Sequence, residues 1–202
     1  MENFHTFDPC TLLAPVPAVM VSCKGTSEGE RPNIITIAWA GTVNSDPPMV
    51  SVSVRKNRFS HHMIKESSEF VVNLVDEAHC DALDFCGVRS GKDVDKFAHC
   101  GLTAMPAIGM EYAPAIAECP AYLACKVRHV LELGSHDMFV GEVVGVQVRD
   151  DWFDADGSLH LERAGLVAYN HGVYQRTAEV LGFFGYSVAR PEVLERRMKQ
   201  YK

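Results

Sequence analysis

The segment from residue 33 to residue 60, NIITIAWAGTVNSDPPMVSVSVRKNRFS, constrains the fold of this chain more than any other segment. Its first part is apolar and rich in β-branched residues, which predicts a buried strand over residues 34–39. Residues 49–54 alternate apolar side chains with serines and predict a second strand. The cluster NSDPP over residues 44–48 predicts a loop between the two strands, because a diproline cannot donate to a sheet ladder. A helix is expected to begin near Phe59, where apolar side chains take helical spacing.

Positive charge collects at the end of this segment. Arg55, Lys56 and Arg58 stand just before the predicted helix, whose first N–H groups and dipole attract an anion. The same segment carries hydroxyl groups and small side chains, namely Thr42, Ser45, Ser53 and Ser60 together with Ala38, Ala40 and Gly41. Together these residues predict a ligand with a phosphate at one end and a planar heterocycle at the other. A polar crossover between two strands would explain the same residues equally well.

Composition excludes several classes of protein. A chain of 202 residues, 47% of them hydrophobic, can bury one sizeable core. Its formal net charge of −7 argues against nucleic acid as a main partner. No apolar run approaches the roughly 18 residues of a membrane helix, and the first residues lack the pattern of a signal peptide, so we expect a cytoplasmic protein without a membrane partner. The seven cysteines form no CxxC pair and are expected to be free thiols, and no metal site is predicted.

The rest of the chain is predicted to be mostly β with short helices. Alternating side chains predict a long antiparallel hairpin over residues 121–148, with its turn at residues 134–137. Further strands are expected at residues 18–21, at residues 70–75 and on both sides of a turn at 170–172, and helices at residues 78–88 and 190–202. Ser90 and Asp93 have the spacing of a capping box, which predicts a short helix through residues 95–97. The segment DADG at residues 154–157 lacks the full ligand spacing of an EF-hand loop and predicts a hairpin turn.

Several motifs occur together in one order along the chain. They are NxxTxAWxGxxxxxPP followed by SVSVRxxRxS, then CGVRSGKDVDKFAHCGLT, GSHDMFVGEV, and GLVAYNHGVYQR with LGFFGYSV. In this order they resemble the flavin reductase-like, FMN-binding split-barrel family, and within it the flavoredoxins. The resemblance implies one domain over residues 1–202 with an antiparallel split β-barrel of about six strands. It also implies a homodimer that holds one FMN per subunit near the subunit interface.

The resemblance assigns roles to the residues of the central segment and of a second basic turn. The residues expected to bind FMN are Thr36, Ala38, Trp39, Ala40, Gly41, Thr42, Ser45, Ser53, Val54, Arg55, Arg58 and Ser60, with Arg89 and Lys92 as further candidates. Among them, Arg58 and Ser60 are expected to contact the phosphate. A turn exposed to solvent would explain Arg89 and Lys92 equally well.

His136 is the predicted catalytic residue. It matches the histidine of the turn that lies near the nicotinamide and flavin rings in the resembling flavin reductases. This chain has Ser135 where many of those reductases have aspartate, which weakens the assignment of a nicotinamide role. A turn histidine without a catalytic task is the alternative.

Three functions are compatible with the sequence. The first is a flavoredoxin-like electron carrier that receives electrons from NAD(P)H or from a redox protein. The second is an NAD(P)H-dependent flavin or ferric reductase that uses FMN as a substrate, and the third is a non-catalytic flavin- or heme-binding protein. The chain has no GxGxxG fingerprint, so a dinucleotide would have to dock transiently against bound flavin.

Overall fold

The computed structural model describes residues 3–201, and most of its regular structure is antiparallel β-sheet. In chain order the strands are β1 (Val16–Pro17), β2 (Val19–Cys23), β3 (Asn33–Ile37), β4 (Ala40–Ser45), β5 (Pro48–Arg55), β6 (Glu69–Leu74), β7 (Ala104–Met105), β8 (Ala115–Ile116), β9 (Ala121–Glu132), β10 (His136–Val148), β11 (Val167–Asn170) and β12 (Val173–Arg176). The helices are α1 (Phe59–Ser67), α2 (Cys80–Val88), α3 (Lys96–Cys100) and α4 (Pro191–Met198). Single turns of 3-10 helix lie at Glu77–His79, Asp150–Trp152, Leu161–Arg163, Tyr186–Val188 and Lys199–Tyr201. No described helix is both long and apolar enough to cross a membrane.

The central sheet has seven strands in the order β3-β2-β6-β9-β10-β5-β4. It curls into a half-barrel, and the Ser53 N–H donates to the Trp39 carbonyl at 3.0 Å where the chain crosses from β3 to β4. All five residues of β2 are buried, whereas burial alternates along β5 because its successive side chains point to opposite faces. Phe70 and Phe139, both fully buried, lie at the centre of the enclosed core. The prediction of a mostly β, antiparallel split barrel with short helices is confirmed.

The hairpin of β9 and β10 forms as predicted. Its pairing shifts register at Val140/Gly141 and at Val143/Gly145, and such bulges bend a hairpin and increase its twist. Gly141 is required at the first shift, because a Cβ there would lie 2.7 Å from the ring of Phe70. The bend therefore depends on a residue without a side chain.

A second layer, formed by the three-stranded sheet β1-β11-β12 with α2 and α3, packs on the half-barrel. Leu83 of α2 and Phe97 of α3 belong to the same buried cluster as Met20 and Ile34 of the central sheet. This contact sets α2 and the β11–β12 hairpin opposite β3.

The predicted loop at residues 44–48 is wrong in most of its length. The first strand ends at Ile37 rather than at residue 39, and the chain then forms β4, with Ala40 opposite Val52 and Ser45 opposite Pro48. Only the turn at Asp46 and Pro47 remains between β4 and β5. Pro48 is tolerated because it is the first residue of its strand. The exposed edge strand β4 has none of the apolar alternation that identifies a buried strand.

The predicted cap of α3 is also wrong. The helix begins at Lys96, and the carboxylate of Asp95 accepts a hydrogen bond from the Ala98 N–H at 3.1 Å. Ser90 instead accepts from the Lys92 N–H inside the preceding turn. Both arrangements satisfy the same local spacing rules, so spacing alone did not identify the capping residue.

The other predicted elements are confirmed with small changes. Residues 18–21 and 70–75 fall in β2 and β6, residues 78–88 form a 3-10 turn followed by α2, and the last strand pair is β11 and β12. The Gly157 N–H donates to the Asp154 carbonyl at 2.9 Å, which closes the predicted turn. The last helix, α4, is shorter than predicted, and Lys202 lies outside the described residues. The seven cysteines are free thiols.

Candidate functional site

A cavity of about 470 Å³ lies between β3, β5, α2 and the β11–β12 hairpin. Apolar side chains form much of its wall, among them Ile35, Ile37 and Val88. Thr36 lies beside Gly87, where a Cβ would come within 3.1 Å of the threonine Cβ. The absence of a side chain at position 87 therefore allows α2 to lie close to β3. The result is a cleft in which apolar side chains alternate with polar ones.

Polar groups stand at the mouth of this cleft. His136 is the first residue of β10 and lies directly opposite Arg55 of β5. The centroid of the His136 ring is 4.7 Å from that of Trp39, a residue that is 44% exposed. The Nδ1 atom of His136 is 2.9 Å from the Ser135 hydroxyl. Partial burial, and then the charge of Arg55, lower the pKa of His136 below its usual 6.5. The imidazole is therefore neutral at neutral pH.

A second cavity, of about 440 Å³, adjoins the first and shares Ile35, Arg55 and Arg58 with it. The first residues of α1 line it, and the first N–H groups of a helix have no partner within the helix. Ser60 is buried there, and its hydroxyl accepts a hydrogen bond from the side-chain amide of Asn33 at 2.9 Å. Arg89 lines the same cavity. The guanidinium groups of Arg55, Arg58 and Arg89 and the N-terminus of α1 therefore line one cavity.

Lys96 completes this second cavity, although it is not among the predicted site residues. It is only 3% exposed, and its ammonium donates to the carbonyls of Ile34 at 2.6 Å and Cys86 at 2.7 Å. An ammonium carries three donors, so one remains beyond these two carbonyls. Burial lowers the pKa of Lys96, and the charge of Arg58 acts in the same direction. A buried cation held next to other cations is the expected partner of an anionic ligand.

Two tyrosines form the wall opposite β3, and they too were not predicted as site residues. Tyr174 donates a hydrogen bond to Asp84 of α2 at 3.1 Å, and the ring of Tyr169 lies 5.7 Å away. Burial, together with the neighbouring Asp84 carboxylate, raises the pKa of Tyr174 to about 12. The phenol therefore stays protonated at neutral pH, and its hydrogen bond is donated to α2.

Asp137 follows His136 but points to the inner side of the sheet. Its side chain is 3% exposed, with Oδ2 at 2.8 Å from His61 Nε2 and Oδ1 at 3.2 Å from the Lys56 ammonium. Burial acts to raise the pKa of Asp137, but the His61 and Lys56 contacts outweigh it and hold the pKa below its usual 3.8. This cluster fixes the first turn of α1 and the start of β10 to each other. His136 therefore projects from an anchored strand end.

The predicted site residues fall into groups. Thr36, Ala38, Trp39, Ser53, Arg55, Arg58 and His136 line the first cavity, and Arg55, Arg58, Ser60 and Arg89 line the second. Lys92 lines a third cavity beyond them. Ala40, Gly41, Thr42 and Ser45 line none of the three, because this part of the chain is the edge strand β4 instead of a loop. Val54 is fully buried in the core, since alternate residues of β5 face inward.

The residues present fit the expected ligand. A planar heterocycle needs a narrow cleft with apolar walls, and a phosphate needs several cationic donors, at best in a partly desolvated place. The first cavity offers a ring the apolar side chains of Ile35, Ile37 and Val88, and the second cavity offers a phosphate Arg55, Arg58 and the spare donor of Lys96. The Thr36 hydroxyl donates to the Leu83 carbonyl, so its proton is already engaged in the wall of the cleft.

The curled antiparallel sheet with short helices is a flavin reductase-like split barrel, and its cleft adjoins a cationic pocket. The family model described as flavin reductase like domain matches residues 13–178, and the chain belongs to this family, as predicted. Among solved structures it is similar to the flavoredoxin of Desulfovibrio vulgaris (Miyazaki F), with a TM-score of 0.82 and 30% identity. That similarity covers 90% of this chain and 97% of the flavoredoxin.

Two curated relatives show how such domains occur within other proteins. The high molecular weight rubredoxin of Moorella thermoacetica is 31% identical over 129 residues, which is 60% of this chain and 52% of that protein. The reductase component of the 4-nitrophenol 4-monooxygenase/4-nitrocatechol 2-monooxygenase of Rhodococcus opacus is 31% identical over 112 residues, 55% of this chain and 56% of that protein. This chain therefore spans about half the length of each of these two relatives.

Proposed function

We propose that this protein binds FMN and moves electrons between a donor, either NAD(P)H or a redox protein, and an acceptor. One observation carries the proposal: a cleft partly lined by apolar side chains adjoins a cationic pocket, and the two share Ile35, Arg55 and Arg58. The similarity to the flavoredoxin of Desulfovibrio vulgaris supports the role of an electron carrier. When bound, FMN would supply the redox chemistry, and the protein would orient it.

The second cavity would bind the phosphate. Arg58 at the N-cap of α1 and Arg55 at the end of β5 supply guanidinium donors, and Lys96 supplies an ammonium that is already held by two carbonyls. Because Lys96 is fixed before the ligand arrives, little side-chain entropy is lost when it binds. The ring of the ligand would then lie in the first cavity, between β3 and the tyrosine wall.

His136 would position an electron donor at the mouth of the cleft. As a neutral imidazole it can exchange hydrogen bonds with a carboxamide, but it does not attract a phosphate by charge. The Asp137 cluster holds the start of its strand, and Trp39 packs against its ring. Such a residue would act mainly on rate, because hydride transfer needs the reacting atoms about 3–3.5 Å apart.

The second candidate function is an NAD(P)H-dependent flavin reductase that uses FMN as a substrate. The relation to a monooxygenase reductase component favours it, and so does the position of His136 at the open mouth of the cleft. The two functions differ in the donor and in how long FMN stays bound.

A visible spectrum of the purified protein, followed by anaerobic mixing with NADH or NADPH, tests both functions. A flavin spectrum that survives gel filtration and is bleached slowly by either nucleotide is the result expected of a carrier. Rapid bleaching, with flavin lost on gel filtration, is the result expected of a reductase. A protein that binds no added FMN at micromolar concentration contradicts the proposal.

His136→Ala tests the role at the mouth of the cleft. If His136 positions a nicotinamide, NAD(P)H should reduce the flavin of the variant at least tenfold more slowly. A tenfold slower rate corresponds to an activation free energy that is about 1.4 kcal/mol higher. FMN affinity should stay nearly constant, and so should reduction by dithionite, which needs no docking site. His129→Ala, at an exposed position of β9, is the matched control. Equal rates for wild type and His136→Ala would remove His136 from this role.

A further inference from the structure

The tip of the β11–β12 hairpin carries a histidine, His171. Asn170 pairs with Val173, so only His171 and Gly172 form the loop between the two strands. Both loop residues have positive φ, 45° for His171 and 101° for Gly172, as in the type I′ turns that join neighbouring strands. Asparagine, aspartate and glycine are the residues that such turns favour at the first of these positions. The turn therefore accounts for the backbone conformation of His171 but not for its imidazole.

Polar side chains on both sides of His171 have partners. The side-chain amide of Asn170 donates a hydrogen bond to Gln175 at 3.0 Å, and the hydroxyl of Tyr174 donates one to Asp84 at 3.1 Å. The imidazole of His171 is exposed and forms no hydrogen bond or ion pair with the described part of the chain. Its side chain is therefore available to a ligand.

His171 and His136 line the same cleft from two different layers of the fold. His171 lines the first cavity and not the second, so it lies on the ring side of the site, away from the phosphate pocket. It is carried by the second layer, whereas His136 is carried by β10 of the central sheet. A small molecule that docks at the mouth of the cleft thus meets an imidazole from each layer.

A carboxamide is a group that two imidazoles can bind together. It offers two N–H donors and one carbonyl acceptor, and a neutral imidazole has one nitrogen that donates and one that accepts. His136 is neutral at neutral pH and can supply a hydrogen bond of either kind. The nicotinamide of NAD(P)H carries such a carboxamide on its ring. Two hydrogen bonds from different walls would fix both the position and the rotation of that ring, and hydride transfer depends on both.

We propose that His171 is a second positioning residue for the electron donor and that it binds the nicotinamide carboxamide together with His136. The inference rests on the proposed function, since it requires a flavin in the first cavity. It names a nicotinamide nucleotide as the donor, because a flat ring can enter between the two layers and reach both imidazoles.

Rapid-mixing measurements of flavin reduction by NADH and by NADPH in the FMN-loaded protein test the proposal. His171→Gly removes the imidazole and suits a position with positive φ. The nucleotide should reduce this variant about three- to tenfold more slowly, the scale of one lost hydrogen bond. FMN affinity and reduction by dithionite should be unchanged. Val173→Thr, at an exposed position of the same hairpin outside the first cavity, is the matched control and should change none of these quantities. His171→Asn, which type I′ turns favour, repeats the test should the glycine variant unfold more easily.

A reduced nucleotide with an acetyl group in place of the carboxamide tests which group is recognised. The acetyl group keeps the carbonyl acceptor but lacks the N–H donors. The ratio of the reduction rates with NADH and with this analogue should therefore fall in His136→Ala or in His171→Gly, whichever variant removes the acceptor of the amide. An unchanged ratio in both variants overturns the shared contact with the carboxamide.

Equal rates for His171→Gly and wild type also overturn the proposal, as do equal losses with nucleotide and with dithionite. A wild-type protein that binds FMN but is reduced by neither nucleotide overturns it too, and a carrier that receives electrons from a redox protein would then remain. A protein that binds no FMN removes the proposed function together with this inference.

Discussion

Single residues divide the work at the phosphate pocket according to how each is held. Arg58 is exposed at the start of α1 and can adjust to its ligand, whereas Lys96 is buried and fixed by two backbone carbonyls. An adjustable guanidinium contributes bidentate hydrogen bonds, and a fixed ammonium contributes a charge that is already in place. The two residues should therefore respond to different experiments.

Arg58→Ala should weaken FMN binding by about 1.5–3 kcal/mol, the scale of a charge-assisted hydrogen bond. Riboflavin has no phosphate, so its affinity should change much less. Fluorescence titration of both ligands gives the comparison, and Arg128→Ala, at an exposed position of β9, is the control. Equal losses for FMN and riboflavin would take Arg58 out of the phosphate site.

Lys96 should make FMN binding depend on pH in the alkaline range. Its pKa is lowered by burial in the free protein, and a bound phosphate anion would raise it again. FMN affinity should then be fully present below the pKa of the free protein and decline as the pH rises from that value toward the pKa of the complex. The second ionisation of the phosphate, near pH 6, acts in a lower range. Titrations from about pH 7 upward should show this decline for FMN and not for riboflavin, and parallel curves would argue against a contact with Lys96.

At the scale of elements, the sheet is tied to its surrounding loops by buried polar groups. Glu69 opens β6 and is only 5% exposed. Its carboxylate accepts hydrogen bonds from the N–H groups of Glu111, Tyr112 and Ala113, the last two at 2.8 Å and 3.2 Å. A segment without regular structure is thereby fixed to the back of the half-barrel, away from the cavities.

Glu69→Gln should lower the free energy of unfolding by roughly 1–3 kcal/mol, because it turns an amide donor toward backbone donors. Denaturant unfolding measures the loss, and hydrogen exchange should quicken first at residues 111–113. Glu179→Gln, at an exposed position, should change neither quantity. FMN affinity should be unchanged, and a large drop would mean that this loop also supports the cavities.

Elements with strong patterns were predictable from the sequence, and elements defined by distant contacts were not. The second half of β9 alternates polar and apolar side chains, and β2 and β6 are mostly apolar, so these strands were predictable from sequence. Strand β4 was missed because an exposed edge strand needs no apolar face. Lys96 was missed because KDVDK is also the pattern of a solvated turn, and Asp137 was missed because its partner His61 is 76 residues away.

At the scale of the whole molecule, the half-barrel leaves apolar surface exposed around the mouth of the cleft. Trp39 is 44% exposed, Leu131 46% and Leu133 61%, and the Leu133 N–H bonds to the carbonyl of His136. Strand β4 is one of the two edge strands of the seven-stranded sheet, and Val43 on it is 50% exposed. An exposed edge with apolar neighbours is a surface that proteins normally cover. We propose that a second copy of the chain covers it, as the predicted homodimer requires.

A dimer interface next to the cleft would couple assembly to flavin binding. A ligand that binds the dimer better than the monomer stabilises the dimer by mass action, so FMN should lower the dimer dissociation constant measured by sedimentation. Val43→Glu should weaken the dimer and FMN affinity together, because it places a charge on the proposed covered edge. Val146→Glu, at a position of similar exposure far along β10 from His136, is the control and should affect both less. A wild-type monomer that is fully occupied by FMN at micromolar concentration would show that the cleft is complete within one chain, and the free edge of β4 would then need another partner.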